Sequence, residues 1–292
     1  VAVTPEVQQV QHPGTSAHPK KSTGWRLFVK TVIARAYPRV IGQQREKSWL
    51  FFDVVLPLLG VSAYVFVYRA IGAPEDYIGF VVMGGAMAAF WLNVLWSMSS
   101  QLYWEKETGN LALFIMAPNS MMAVLLGMAL GGIVATTLRA LVILLVGSWF
   151  FRVTYVVSGF LELFTVFTLT MVALYGLGMM ASSAYLLLTR EAYHISHLAM
   201  EPVYLVSGMY FPIKNFNFWV AAGASLIPLT LGLDAMRQLS FPTGKSLGFL
   251  TVPAEIGLLL VLCALFLIGA KWLLAFIERL AVREGRLTDI RR

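Results

Sequence analysis

The chain has 292 residues, of which 58% are apolar or aromatic and only 13% are charged, with a formal net charge of +7. That charged share is about half the usual share of a soluble domain, and stretches such as 78–102 carry no charge at all. So few charges cannot cover a soluble protein of this size, whereas about 20 uncharged apolar residues suffice to cross a bilayer as a helix. The basic residues cluster at the chain ends beside hydrophobic segments, which argues against a nucleic-acid partner. The single cysteine, Cys263, lies in an apolar run and can form no intrachain disulfide.

Residues 1–23 are polar, hold Pro5, Pro13 and Pro19, and lack the apolar core of a signal peptide. They are expected to form a disordered tail, and Val1 fits a GTG start codon read literally, a weak pointer to a bacterium. Residues 24–48 carry Trp25, Phe28, Val32, Ile33, Ala36 and Val40 at helical spacing, interleaved with Arg26, Lys30, Arg35 and Arg39. A basic amphipathic helix of this kind suits the headgroup layer of the cytoplasmic membrane face, against anionic lipids.

Six spans are expected at 49–68, 77–102, 120–150, 160–188, 193–209 and 251–276, within a transmembrane domain covering 49–276, followed by a basic tail at 277–292. With the first residue inside, the inner side holds 16 Lys and Arg and the outer side five. This asymmetry places both termini in the cytoplasm of a multi-pass cell-membrane protein. The stretch 210–249 is apolar but broken by Pro212, Pro228, Pro242 and several glycines. Two short half-helices dipping into the outer leaflet would fit, because irregular backbone at that depth needs protein or a water-filled cavity around it. A constriction or lid on the outer side is expected there.

Two motifs stand out. The loop after the second span reads Tyr103-Trp104-Glu105-Lys106-Glu107-Thr108-Gly109-Asn110-Leu111, followed by Ala117-Pro118-Asn119-Ser120. Before the last span come Ser207-Gly208-Met209-Tyr210-Phe211-Pro212, then Pro228-Leu229-Thr230 and Arg237. In this order, and on these sides of the membrane, they resemble the ABC-2 type permeases, the transmembrane subunits of type V ABC exporters. Asn110 and Ala112 depart from the residues common in that family. The resemblance covers the chain from about Trp25. It implies an all-α membrane fold of six spans with an N-terminal interface helix and an outer re-entrant hairpin. It also implies two permease copies, forming a homodimer or pairing with a similar permease, and two separate ATPase subunits that bind ATP and magnesium. On the same resemblance, the permease itself would hold no cofactor and would not be an enzyme. The ATPase would push on a coupling loop comprising Glu105, Lys106, Glu107, Gly109 and Pro118. Phe211, Pro212, Pro228 and Thr230 would form the outer gate.

Several residues carry open readings. Asn93, Ser97, Ser100 and Gln101 share one face of the second span, either lining a pathway or bonding neighbouring helices. Arg139 lies inside the third span, where charge points to function unless it reaches the outer interface. Gly127 and Gly131 form a Gly-x-x-x-Gly pair suited to close helix approach. Glu191, His194, His197 and Glu201 are metal-ligand types on one helical face. They support an alternative, a membrane-embedded metal-dependent enzyme, although no second ligand cluster completes a site. A pathway-facing role for Glu201 competes with it. Gly244-Lys245-Ser246 mimics the end of a phosphate loop, but Leu239 stands where that loop needs glycine. Drugs, lipids, lipid-linked glycans and polysaccharides all stay open as substrates.

Overall fold

The computed structural model describes residues 24–45, 47–117, 120–188 and 191–284. The tail at 1–23, the end of the basic tail and Pro118 lie outside the described residues. The described chain is helical throughout: α1 (Trp25–Arg45), α2 (Lys47–Ala70), α3 (Asp76–Leu92), a π-helical segment (Asn93–Met98), α4 (Gln101–Glu107), α5 (Asn110–Met116) and α6 (Met121–Phe151). Then follow α7 (Phe160–Leu188), α8 (Glu191–Val206), a 3-10 turn (Ile213–Asn215), α9 (Phe218–Ala224), α10 (Pro228–Ser240), α11 (Gly244–Leu247) and α12 (Val252–Glu284).

Five stretches are long and apolar enough to cross a membrane: Phe51–Ala70, Asp76–Glu107, Met121–Phe151, Phe160–Leu186 and Val252–Ile277. The expected fifth span is different. It forms α8, whose 16 residues reach about 24 Å, short of a hydrocarbon core of about 30 Å. A sixth crossing arises only if α9 and α10, bent by 106° at their junction, count as one broken span. Large apolar side chains such as Leu145, Trp149, Phe160, Ile268 and Trp272 are exposed on the outside of the bundle, as lipid-facing helices require. The chain is a multi-pass membrane protein.

Turn chemistry sets the helix ends. Gly109, at φ 78°, caps the start of α5, and Gly208, at φ 79°, follows α8. Both hold a left-handed conformation that other residues rarely tolerate. Pro228 occupies the first turn of α10, where the missing N–H costs no hydrogen bond.

The core lies around α10. Each of its 13 residues is buried, Asp234 and Arg237 included. It packs on α3, α7 and α12. The expected re-entrant hairpin is thus a sharply bent pair whose second arm is the centre of the bundle.

The amphipathic leader takes an unexpected position. A Cβ on Gly127 of α6 would come within 2.5 Å of the Val32 carbonyl oxygen, and one on Gly131 within 2.8 Å of that of Ala36. Contacts advance four residues on both helices, so α1 runs parallel along the first half of α6, backbone against backbone. The Gly-x-x-x-Gly pair therefore seats a helix of the same chain.

Candidate functional site

The loop expected to meet an ATPase closes one end of the bundle. Glu105 is buried there. Its Oε1 accepts from the Arg35 guanidinium at 2.7 Å and from the Gln101 amide at 3.0 Å. The Arg35 guanidinium also lies 4.5 Å from the Phe114 ring centre, a cation–π contact that ties α1 to α5. Glu105 therefore faces inward, toward α1, rather than outward. Glu107, Gly109 and Asn110 are exposed, Lys106 is half-exposed, and Leu113 and Met116 of α5 project at 60% and 73% exposure.

The four leader cations divide into two pairs. Arg26 and Lys30 are exposed, while Arg35 and Arg39 are half-buried in the bundle. Arg39 donates to Gln101 Oε1 at 2.7 Å and also to the Ser97 hydroxyl. Burial pushes the Arg39 guanidinium down from its ordinary value to about 10; nearby Arg35 lowers it further, while Tyr175 and Glu105 counteract.

Asn93, Ser97, Ser100 and Gln101 do not share one open face. The π-helical segment, marked by Ser99 N–H bonding the Val94 carbonyl at 2.8 Å, inserts an extra residue and divides them. Asn93 turns to α7 and accepts from the Tyr175 hydroxyl at 2.9 Å. Gly132 makes room for that bond, since a Cβ there would sit 2.8 Å from Asn93 Oδ1. Ser97 and Gln101 turn to Arg39, and Ser100 bonds the Trp96 carbonyl in its own helix. These are interhelical and local bonds; π-bulges often mark sites under functional constraint.

Arg139 is paired inside the bundle. It donates to Asp53 of α2, with the two side chains 12% and 34% exposed. Both side chains are half-buried, the arginine more deeply than the aspartate. A partner 86 residues away along the chain leaves no local sequence signal.

The Ser207–Pro212 motif forms a wall against α2 and α3. Gly84 of α3 lets the chain pass so closely that a Cβ there would overlap the Met209 carbonyl oxygen at 1.9 Å. Arg237 of α10 reaches back to this turn. Its guanidinium serves the carbonyls of Gly208, Met209 (2.9 Å) and Phe80 (2.8 Å). The Tyr68 hydroxyl donates to the Tyr210 carbonyl at 2.8 Å. Phe211 packs edge-on to Tyr64 and Tyr68; Pro212, Pro228 and Thr230 are buried. The gate candidates therefore lie in two places, Phe211 and Pro212 in the turn and Pro228 and Thr230 in α10, bridged by Arg237.

Beside this wall lies a cavity of about 800 Å³ between α2, α3 and α8. Glu201 lines it with Tyr64, Tyr204 and Tyr210. His194 is exposed, whereas the side chains of Glu191 and His197 lie outside the described residues. The described residues contain no group of three or more metal-ligating side chains. Gly244 begins α11, directly against the Arg237 carbonyl, in a helical turn unlike the strand–loop–helix of a phosphate loop.

Sequence reasoning missed Asp53, Tyr64, Tyr175 and Tyr204. Asp53 stands out in the sequence as a charge within an apolar run, but nothing local names its partner.

Comparison with known proteins agrees with this architecture. A stretch of 167 residues is 26% identical to the probable multidrug ABC transporter permease YbhR of Escherichia coli strain K12, and the same holds for its counterpart in strain O157:H7. The match covers 56% of this chain and 44% of each relative, so the chain spans less than half the length of those proteins. The family model for ABC-2 type transporters matches residues 29–241, from within α1 to just past α10. The protein belongs to the ABC-2 type transporter family.

Proposed function

We propose that this chain is the permease half of an ABC exporter, moving its substrate out of the cytoplasm or inner leaflet. ATP, with magnesium, is hydrolysed in two separate ATPase subunits, and a second permease copy completes the pathway as a homodimer. Both termini face the bacterial cytoplasm, as the Lys and Arg asymmetry requires. The observation that carries this reading is the end formed by α4 and α5. It presents Glu107 and the half-exposed Lys106 beside the apolar Leu113 and Met116. That surface is joined through Glu105 and Arg35 to α1, and through Gln101 and Arg39 to the π-helical segment. A push on this end is thereby delivered to α1, α3 and, through the glycine contacts, α6. Lipids, glycans and drug-like molecules remain the substrate classes of this reading, and Arg26 and Lys30 are placed to meet anionic headgroups.

The test is purification of the chain with the ATPase encoded beside it. A stable complex of two permeases and two ATPases is the expected product. A chain that binds no ATPase, from a locus that encodes none, would overturn the proposal.

A further inference from the structure

The cavity between α2, α3 and α8 has a distinct chemistry. Most of its lining is aliphatic, from Leu56, Ala88, Leu92 and Leu205 among others. Three tyrosine rings form an aromatic side. Tyr64 and Tyr210 stack with centroids 3.9 Å apart and planes at 15°, and Tyr204 lies 6.1 Å from Tyr210 at 29°. Glu201 is the only charged side chain among the described residues that line the cavity. Glu201 and Tyr204 stand three residues apart on α8 and both line the cavity, so the carboxylate shares a helix face with one ring of the aromatic side.

The lining lies halfway along the spans. Gly60 is near the middle of α2 with Tyr64 one turn further on, and Gly85, Ala88 and Leu92 lie in the long apolar stretch that begins with α3. Glu201 is exposed where it lines this space, and an ionisable residue beside apolar spans points to a function. No arginine, lysine or histidine among the described lining residues balances it.

The wall is also held in place before any ligand arrives. Tyr210 follows the left-handed Gly208, and its backbone is fixed by Tyr68 and, one residue earlier, by Arg237. Gly60 and Gly85 keep the floor low: a Cβ on Gly60 would already touch the Tyr210 hydroxyl oxygen at 3.7 Å, and one on Gly85 would strike the Val61 side chain at 2.2 Å.

We propose that this cavity binds a lipophilic monovalent cation, its charge held by the Glu201 carboxylate next to the aromatic side of Tyr64, Tyr204 and Tyr210, and its apolar body against α2 and α3. A carboxylate supplies the charge, aromatic faces attract a cation whose hydration has been stripped, and an apolar pocket with a few polar groups is what small ligands bury into. A lipophilic anion would meet repulsion from Glu201, and a strongly hydrated inorganic cation would lose its water shell without enough oxygens to replace it. The inference rests on the transporter reading above and names the substrate class of its pathway.

The test uses the full chain in lipid nanodiscs, with empty discs subtracted. Tetraphenylphosphonium and its anionic isostere tetraphenylborate are compared by equilibrium dialysis. Saturable binding of the cation and none of the anion is expected. Glu201→Gln should weaken the cation by about tenfold or more, and Tyr204→Leu severalfold, while Tyr204→Phe keeps most of the affinity. Saturable tetraphenylborate binding, absence of saturable tetraphenylphosphonium binding, or an unchanged affinity in folded Glu201→Gln would each overturn it. The cation–anion comparison needs no variant, so a misfolded mutant leaves the test intact. ATPase association is measured separately. A permease that captures its ATPase yet fails the cation test sinks this inference alone, and one that passes it without an ATPase sinks the exporter reading alone.

Discussion

Gly127 and Val32 touch so closely that a Cβ on the glycine would lie 2.5 Å from the valine carbonyl oxygen. Backbone, unlike the end of a flexible side chain, cannot step aside. Gly127→Leu should therefore lift α1 off α6, at a cost at or above the ~1–3 kcal/mol typical of overpacking. Thermal unfolding of the detergent-purified protein would show it, together with new proteolytic cleavage within α1. A substituted protein with the parental midpoint and protease pattern would mean that α1 does not dock this way.

Removing Glu105 leaves Arg35 and Gln101 without their shared acceptor, and Glu105→Lys sets a third cation beside Arg35 and Arg39. A double-mutant cycle between Arg35 and Glu105, read by unfolding, should give a coupling of about 1–3 kcal/mol, as for side chains bonded within one network. A coupling near zero would dissolve the proposed link between α1 and α4.

Glu107 is the exposed acid of the same end. Glu107→Lys should leave the unfolding midpoint within experimental error while lowering capture of the partner ATPase by severalfold. If capture is unaffected and only stability drops, the partner does not read this acid.

Arg237 serves three buried carbonyls from one guanidinium. Arg237→Met would fill similar space but leave them without a donor, at about 1–3 kcal/mol for each group not rescued by water. The expected result is little folded protein on size exclusion, and early proteolysis at the Ser207–Phe216 turn. Arg237→Lys should recover only part, because an ammonium lacks the planar fork.

Burial lowers the Arg39 guanidinium to about 10, and the sign of the pH effect follows. Below that value both folded and unfolded chains keep the proton, so Arg39 adds no pH dependence to stability. Above about 10, until the unfolded chain also gives up its proton, the unfolded chain binds more protons, and this group's contribution rises with pH. The stability difference between the parent and Arg39→Gln should therefore be constant from pH 6 to 9. A difference that drifts across this range would mean that Arg39 is not a standing charge on Gln101 and Ser97.

The membrane character of this protein, the positions of its long apolar helices and its family were legible in the sequence, because burial in lipid demands unbroken apolar runs and because two local motifs keep their order. Local reading also found the broken segment before the last helix, since proline and glycine act within a few residues of themselves. Which polar residues meet was not legible. Arg139 finds Asp53 at a distance of 86 residues, Tyr175 finds Asn93 at 82, and Arg35 finds Glu105 at 70. Such pairings depend on how helices are laid side by side, which periodicity within one helix does not contain. The π-helical segment belongs to the same class: one inserted residue sends Asn93 to α7, and Ser97 and Gln101 to α1, although they share a face in a regular helix. The amphipathic leader shows the limit most clearly. Its apolar and basic pattern suits a membrane surface, and only the tertiary structure reveals that two glycines of α6 open a groove deep enough to draw it into the bundle.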